Sequence, residues 1–367
     1  MLKKLLLYTA ISFGLIAVVL TTASFNTNSP NAESITVSKS NGSAIAQVHA
    51  PQFHIPPLAV ESISPAQGAI NVSLNPTITV QFSAPLASLT PMPWLSPMIL
   101  GSWSQVSPDE VVFTPQQSFQ PYTTVTLTIP GGPGGMEGAA SQLLQKTQIT
   151  TFTTTSGPTI QLQQDLALLG YLPLTYNTTT GAFAWQYANI PAGLQALWQP
   201  GVYNEMTKAA VMSFEYFNGL SVDGVAGQQV WISLADDVAA NKTNPFGYSF
   251  VSVSKALPET VQVWHNGQIA FSTLANTGIA AAPTPDGTFA VYLRYVSTTM
   301  KGVNPNGTPY NDPNIPWVSY FNGGDALHGF IRASYGFPQS VGCVEMPFSS
   351  AQTVFNLTTY GTLVSIY

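Results

Sequence analysis

The chain has 367 residues, of which 45% are hydrophobic and only 7% are charged, and its formal net charge is −6 at pH 7. No Lys or Arg stands between Lys39 and Lys146. Because contacts to nucleic-acid phosphates need clustered cations, this composition argues against nucleic-acid binding. The length suggests two or three domains rather than a single core.

The low charge is itself informative, because soluble proteins usually carry about 25% charged residues. Here Ser, Thr, Asn, Gln, Gly and Pro take their place. We interpret such a surface as suited to an extracellular and acidic setting. With few carboxylates to protonate, the folded state is expected to keep its stability from neutral pH down to about pH 3.

The N-terminus has the features of an export signal. Lys3 and Lys4 precede an apolar run from Leu5 to Leu20, and small residues follow it. This pattern predicts a secretory signal peptide or an uncleaved membrane anchor over residues 1–24. Residues 25–57 are rich in Ser, Asn, Ala and Pro without any period, which predicts a disordered tether.

Residues 58–156 have an all-β texture. The stretches TITVQF, EVVFTP, TTVTLTIP and TQITTFTT read as strands, and Asn75-Pro76, Pro108-Asp109 and glycines 131–135 mark turns. Short strands with polar turns predict an antiparallel β-sandwich. The runs SISPAQGAINVSLNPTITVQFSAPL and FTPQQSFQPYTTVTLTI resemble bacterial Ig-like domains, and we interpret this domain as a spacer.

Helical spacing begins after Gly157-Pro158. The phrases IQLQQDLALLGYLPL and NEMTKAAVMSFEYFNGL predict two helices that end at glycines, and SVDGVAGQQVWISLAD predicts a turn and a third helix, with Asp223 as a turn residue. The pattern resembles the three-helix peptidoglycan-binding domain, here assigned to residues 157–243, with a long insert around Trp185 to Trp198. Binding of wall glycan or peptide is implied by this resemblance alone.

The β texture returns in residues 244–367. ETVQVWHNG followed by QIAFSTLA predicts a hairpin with an Asn-Gly turn. YSFVSV, GTFAVYLRYV and GTLVSIY predict further strands. The whole chain is therefore predicted to be multidomain and mainly β: an Ig-like β-sandwich, a small three-helix domain and a mainly-β C-terminal domain.

The C-terminal domain holds the only cysteine, Cys343, which lies 15 residues after His328, one of four histidines. A thiol attacks as the thiolate, and a neighbouring imidazole can take its proton. Two strands joined by a loop would bring the pair together, Gly342 would let the backbone approach a substrate, and the Gly329 carbonyl could orient the imidazole. Spacing alone leaves open an inert buried thiol and a histidine without a special role.

The segment HGF…SVGCVEMP…GTLVSIY, with NTGIAAAPTPDGTFAVY before it, resembles the L,D-transpeptidase catalytic domain of the YkuD type over residues 245–367. The resemblance implies that Cys343 is the nucleophile and His328 the base. It also implies that the Gly329 carbonyl orients the imidazole and that the amides of Gly342 and Cys343 bind the oxyanion. Ser340 is implied to shape the loop before the cysteine.

Two positions depart from the family pattern. Many members have a second histidine where Val341 stands and an arginine of the donor-peptide pocket where Glu345 stands. Arg332 is a candidate to replace that arginine by binding a stem-peptide carboxylate, and an ordinary exposed arginine is the alternative.

Aromatic side chains near the cysteine are further candidates. Tyr320, Phe321 and Tyr335 could line a substrate groove, or they could pack in the core. With Ser340 and Arg332, Tyr335 completes the set that we assign to substrate binding.

The implied function is that of a cysteine-dependent L,D-transpeptidase at the cell wall or outer face of the membrane, forming 3→3 cross-links between peptidoglycan stem peptides through a thioester. An L,D-carboxypeptidase on the same stems and a catalytically inactive wall-binding surface protein are the alternatives. The expected partners are stem peptides and glycan. His265 and His328 have no companions at ligand spacing, so no metal or cofactor is expected.

Overall fold

The computed structural model describes residues 55–367. The predicted signal or anchor over residues 1–24 and most of the predicted tether lie outside the described residues. Within residues 55–367, no helix combines the length and apolar character that a membrane crossing requires.

The first domain is a sandwich of two four-stranded sheets with the strand orders β1-β3-β6-β5 and β2-β8-β7-β4. Along β3, Ile78, Val80 and Phe82 are buried while the residues between them are only partly covered, which is the alternation that predicted the strand. The predicted sandwich is confirmed, except that β2 pairs with β8 in parallel. Its strands are β1 Val60–Ser64, β2 Ala69–Val72, β3 Ile78–Phe82, β4 Trp94–Ser96, β5 Gly101–Ser107, β6 Glu110–Pro115, β7 Thr124–Ile129 and β8 Gln148–Thr154.

The second region contains the three predicted helices and a more structured insert than the sequence indicated. A hairpin and a one-turn helix lie between the first two long helices. Asn204 begins the second long helix by accepting a hydrogen bond from the Thr207 amide at 3.2 Å. The elements are α1 Thr159–Leu168, β9 Leu174–Asn177, β10 Ala182–Trp185, α2 Ala192–Gln195, α3 Glu205–Phe217 and α4 Gln228–Ala240.

The third region packs a five-stranded sheet, β13-β12-β11-β19-β14, against a four-stranded sheet, β15-β16-β17-β18, and one helix. Residues at alternate positions, such as Val251 and Val253, fill the core between them. The elements are β11 Ser249–Ser254, β12 Thr260–His265, β13 Gln268–Leu274, β14 Gly287–Ala290, β15 Leu293–Val303, β16 Pro309–Asn322, β17 Asp325–Gly329, β18 Val344–Met346, α5 Phe348–Asn356 and β19 Leu363–Ile366.

One predicted strand is wrong in its extent. The stretch GTFAVYLRYV is divided into β14 and β15, which belong to different sheets. The break is visible in the backbone hydrogen bonds, since the Val291 amide donates to Thr362 O at 2.9 Å and the Tyr292 amide donates to Tyr320 O at 3.0 Å. Consecutive residues are thus bound to opposite sheets, which an unbroken run of strand-forming residues does not reveal.

The helical region shares a hydrophobic core with the outer face of the five-stranded sheet. Leu194, Met206 and Phe214 pack in one cluster with Phe250 and Trp264. A side chain also crosses this contact, because Glu205 Oε1 accepts from the Ala290 amide at 3.0 Å. The helices and the five-stranded sheet are therefore packed as one body.

Two carboxyls in the helical region, one buried and one partly buried, affect the pH dependence of stability. Glu215 on α3 is buried and accepts hydrogen bonds from the amides of Asp223 and Gly224 at 3.1 and 2.9 Å. Loss of contact with water nevertheless raises the pKa of Glu215 to about 7, and burial raises the pKa of Asp165 to about 6. Both folded-state values lie above the ordinary carboxyl pKa, so protonation favours the folded state.

The protein is therefore expected to be more stable near pH 5 than near pH 8. The stabilising effect of the protonated Glu215 is complete below its ordinary pKa of 4.5 and is lost as the pH rises through about 7. Its full size is about 3 kcal/mol at most. Urea unfolding between pH 5 and pH 8 measures this, and Glu215→Gln should flatten the curve. Exposed Glu61 provides the control Glu61→Gln, and equal stability at both pH values in the wild type would contradict the expectation.

Candidate active site

Two neighbouring parallel strands bring the cysteine and the histidine to one face. In β17 and β18, Leu327 pairs with Val344 and His328 with Glu345. Because side chains alternate along a strand, Cys343, two residues before Glu345, lies on the same face as Glu345 and His328. Both His328 and Cys343 line one cavity of about 440 Å³.

His328 is fixed by its neighbour. The ring is 3% exposed, and its Nδ1 lies 3.0 Å from the carbonyl oxygen of Gly329. Since a carbonyl only accepts hydrogen bonds, Nδ1 carries the proton and Nε2 is left with its lone pair. Burial lowers the pKa of His328, so the imidazole is neutral at neutral pH. This is the protonation state that a general base requires.

Cys343 is held as a thiol. Its Sγ lies 3.7 Å from the carbonyl oxygen of Gly324, and the residue is only partly exposed. Burial raises the pKa of the Cys343 thiol to about 12, and the nearby carboxylates of Asp325 and Glu345 act in the same direction. The resting site therefore contains a neutral thiol and a neutral imidazole, and the thiol needs a base at the moment of attack.

The loop before the cysteine is held by Ser340. Its hydroxyl donates to the Cys343 carbonyl at 2.5 Å and accepts from the Gly342 amide at 3.2 Å. The Gly342 amide is thus already engaged, so the oxyanion role expected of it would require this bond to be exchanged. Gly342 has φ of +122°, and a Cβ there would collide with Asp325 Oδ1. This position therefore requires glycine.

Replacing Ser340 by alanine is expected to lower the rate of acylation at Cys343 by about ten-fold to a hundred-fold. The substitution leaves the Gly342 amide without its partner and frees the Cys343 carbonyl, so the nucleophile loses its fixed position. Stopped-flow acylation by a carbapenem measures the rate, and Ser340→Thr, which retains a hydroxyl, is the matched control. An unchanged rate in the alanine variant would show that the loop holds its shape without this side chain.

Arg332 is partly exposed and is paired with Glu345. Its Nε and Nη2 donate to the two carboxylate oxygens of Glu345 at 2.7 Å each, and its guanidinium lies 4.6 Å from the centre of the Phe330 ring. Glu345 is 5% exposed. Glu345 is one of the two positions that differ from the family pattern, and its negative charge is neutralised by Arg332. Both side chains line the cavity.

The aromatic candidates differ in their placement. Phe321 is buried in the core between the two sheets, so the interpretation as a groove residue is wrong for it. The Tyr335 hydroxyl donates to Phe330 O at 2.6 Å and accepts from the Arg332 amide at 3.2 Å, so Tyr335 fixes the loop rather than lining the cavity. Tyr320 is partly buried and packs in the small cluster that includes Cys343.

Part of the cavity wall comes from residues that the sequence analysis did not single out. The long hairpin of β15 and β16 contributes Met300, Asn304, Tyr310 and Asp312. No local motif marks these residues, because only the pairing of the hairpin with β17 brings them near Cys343. In residues 55–367, no three His, Cys, Asp or Glu side chains are grouped as metal ligands would be.

Three family models match the chain. Residues 248–366 match the L,D-transpeptidase catalytic domain (YkuD), residues 54–154 match a bacterial Ig-like domain, and residues 192–234 match a peptidoglycan binding domain. The three resemblances drawn from the sequence are thereby confirmed. The two peptidoglycan-related matches indicate a cell-wall location and a peptidoglycan substrate. A search of curated proteins gives no match.

Solved structures with similarity to the chain include several L,D-transpeptidases. The catalytic domain of the E. faecium enzyme, acylated by ertapenem, is 26% identical over 33% of this chain and 97% of its own. An enzyme from Mycobacterium smegmatis is 13% identical over 85% of this chain and 100% of its own, and L,D-transpeptidase 3 from Mycobacterium tuberculosis is 14% identical over 84% and 98%. All three TM-scores are 0.30, so the assignment depends on the family models instead.

Proposed function

We propose that this protein is an L,D-transpeptidase that joins peptidoglycan stem peptides by 3→3 cross-links, with Cys343 as the nucleophile. The observation that carries the proposal is the neutral, Nδ1-protonated His328. It lines the same cavity as the only cysteine and lies on the same face of the sheet. An imidazole held in this way has one free lone pair, and the thiol that shares its cavity is the group that must lose a proton.

In the first half-reaction, Cys343 attacks the carbonyl of the diamino acid in a tetrapeptide stem. His328 Nε2 takes the thiol proton as the C–S bond forms, and the oxygen becomes an oxyanion that backbone amides around Cys343 would stabilise. When the tetrahedral intermediate collapses, the C–N bond to the terminal D-alanine breaks. The imidazolium returns its proton to the departing amine, and a thioester on Cys343 remains.

In the second half-reaction, an amine from a neighbouring stem attacks the thioester. His328 accepts a proton from the attacking amine and passes it to the departing Cys343 sulfur, which restores the thiol. The cavity favours an amine, because its charged residues are Asp312, Glu345 and Arg332, two anions and one cation. A surplus negative charge attracts an ammonium group.

The other parts of the chain fit this activity. An exported chain with a tether would reach the wall from the outer face of the membrane, and the Ig-like domain would act as a spacer. A peptidoglycan-binding domain raises the local concentration of polymeric substrate near the catalytic domain. We propose the residue ranges 58–156, 157–243 and 244–367 for these three parts.

Product analysis tests the proposal. The purified protein is incubated with a tetrapeptide stem and an amine-bearing acceptor stem, and the products are separated and weighed by mass spectrometry. A cross-linked dimer with release of one D-alanine is the expected result, absent with Cys343→Ala. Tripeptide without dimer would identify a carboxypeptidase instead, and unchanged substrate with a folded protein would indicate a wall-binding protein without activity.

A further inference from the structure

Both backbone polar groups of Gly342, the residue before the nucleophile, are held by hydroxyl groups. Its amide donates to Ser340 Oγ at 3.2 Å, and its carbonyl oxygen accepts from the Thr284 hydroxyl at 2.8 Å. Thr284 is 1% exposed and lies 58 residues before Gly342 in the chain. It opens the segment TPDG, residues 284–287, which has no part in the reaction steps proposed above.

The amide of Cys343 is the backbone donor that remains free beside the thiol. Within residues 55–367 it has no hydrogen-bond acceptor, whereas the Gly342 amide is occupied by Ser340. A free backbone N–H at a nucleophile can bind the oxyanion of a tetrahedral intermediate. Of the two amides expected to bind the oxyanion, that of Cys343 is therefore available without the loss of an existing hydrogen bond.

The Thr284 hydroxyl fixes the direction of this free donor. The Gly342 carbonyl and the Cys343 N–H belong to one planar trans peptide group, so they point in opposite directions. A hydrogen bond to the carbonyl oxygen therefore also orients the N–H. Gly342 has φ of +122°, a region that glycine enters freely, so the peptide group can rotate when this bond is absent.

The same hydroxyl also strengthens the donor. Thr284 Oγ1 accepts from the Gly278 amide at 2.8 Å while it donates to the Gly342 carbonyl oxygen, and both bonds are buried. Hydrogen bonds that are linked in a chain polarise one another. This chain ends at the peptide group between Gly342 and Cys343, so the Cys343 N–H becomes a better donor to a developing negative charge.

The loop before the cysteine has further hydrogen bonds to the segment that contains Thr284. The carbonyl oxygen of Thr277 accepts from the amides of Gln339 and Ser340 at 2.9 and 3.0 Å, and the Ile279 amide donates to Ser340 O at 2.9 Å. These are bonds between backbone groups, so they remain when the Thr284 hydroxyl is removed. The loop is therefore expected to stay attached in a variant that lacks this hydroxyl.

We propose that Thr284 is a positioning residue for acyl transfer at Cys343. Its hydroxyl orients and polarises the peptide group between Gly342 and Cys343, and the Cys343 amide then binds the oxyanion. Thr284 does not line the catalytic cavity and acts through this peptide group alone. The inference rests on the proposed function, because the oxyanion forms only when Cys343 attacks a carbonyl carbon.

Thr284→Val, which keeps the shape of the side chain and removes the hydroxyl, tests the proposal. Stopped-flow acylation at several carbapenem concentrations should show a limiting rate lowered about ten-fold to a hundred-fold. The concentration that gives half of this rate should change by less than about three-fold, because the lost interaction belongs to the transition state. Alkylation by iodoacetamide forms no oxyanion, so its rate should stay within about two-fold of the wild type.

Two variants are controls for the loss of the hydroxyl. Thr284→Ser retains it and should recover a limiting rate within about three-fold of the wild type. Thr288→Val removes a partly buried hydroxyl that pairs with Ser365 Oγ at 3.1 Å outside the catalytic cavity, and it should be acylated like the wild type. Thermal unfolding verifies that each variant is folded. Where Thr284→Val does not fold, Thr284→Ala should show the same slow acylation with unchanged alkylation.

The possible outcomes separate this proposal from the proposed function. An unchanged limiting rate in folded Thr284→Val would overturn the positioning role and leave the proposed function standing. An equal loss of acylation and alkylation would also overturn it, as would a failure of Thr284→Ser to recover the rate, since both results indicate a structural defect. A folded wild type that is not acylated would overturn the proposed function, and the positioning role with it.

Discussion

Incubation with a carbapenem is expected to add one drug mass to the wild-type protein and none to Cys343→Ala. The resemblance to L,D-transpeptidases implies that such drugs acylate the catalytic thiol, and intact mass spectrometry counts the adducts directly. Because Cys343 is the only cysteine, a single adduct lost in the alanine variant identifies the nucleophile. The adduct would also show that the cavity can hold and activate a carbonyl.

The rate of carbapenem acylation should depend on His328, whereas the rate of alkylation by iodoacetamide should depend on the pKa of the Cys343 thiol. The pKa of the Cys343 thiol is raised to about 12, so iodoacetamide at neutral pH should react far more slowly than with free cysteine. The rate should continue to rise with pH well above pH 9. Carbapenem acylation uses His328 Nε2 as the base, so His328→Gln should slow it by about 10²–10⁴-fold.

Two outcomes would contradict this reading of the site. Fast iodoacetamide alkylation at neutral pH with a plateau would mean that the thiol is already ionised, as in a thiolate–imidazolium pair. A folded wild-type protein without a carbapenem adduct would favour the inactive wall-binding alternative, and the departures at Val341 and Glu345 would then be the first positions to restore.

Breaking the Arg332–Glu345 pair should be the most destabilising of the side-chain changes at the site. Arg332→Met leaves the buried Glu345 carboxylate without its two 2.7 Å hydrogen bonds, and a buried acceptor left without partners costs about 1–3 kcal/mol. Chemical denaturation measures the loss. The double variant Arg332→Met/Glu345→Leu should recover most of it, because no charge is left unpaired.

The same variant should shift the pH profile of catalysis. The charge of Glu345 raises the pKa of His328, whereas Arg332 lowers it. Without Arg332, the pKa of His328 should therefore rise, and the protonated imidazole cannot act as a base. The acid limb of the kcat/KM profile should move to higher pH in Arg332→Met and return in the double variant. A stable variant with an unshifted profile would show that the pair serves neither folding nor the electrostatics of the base.

Much of the architecture could be predicted because it depends on local sequence patterns such as alternation and turn residues. Alternation predicted β3 and β6, and the Asn266-Gly267 turn predicted the β12–β13 hairpin, whose two turn residues have the positive φ that such a turn needs. The proximity of His328 and Cys343 could also be predicted, since the only cysteine and one of four histidines lie at a spacing that adjacent strands can bridge.

The remainder depended on contacts between residues far apart in the chain. Nothing near Arg332 in sequence shows that its Nε and Nη2 will donate to Glu345, and nothing near Phe321 separates a core ring from a groove ring. The division of β14 from β15 depends on Thr362, which directly precedes β19, and on Tyr320 in β16. Each of these features is set by contacts with residues distant in sequence, and a local sequence pattern does not specify such contacts.

The charged residues of the catalytic cavity have a consequence for side reactions. Among the described residues that line it, Arg332 is the only arginine and none is a lysine. A guanidinium remains protonated and is a poor nucleophile, whereas a nearby lysine amine could capture an acyl group from sulfur and form a permanent amide. A thioester on Cys343 is thus protected from self-modification, and it waits for an amine that a second molecule brings.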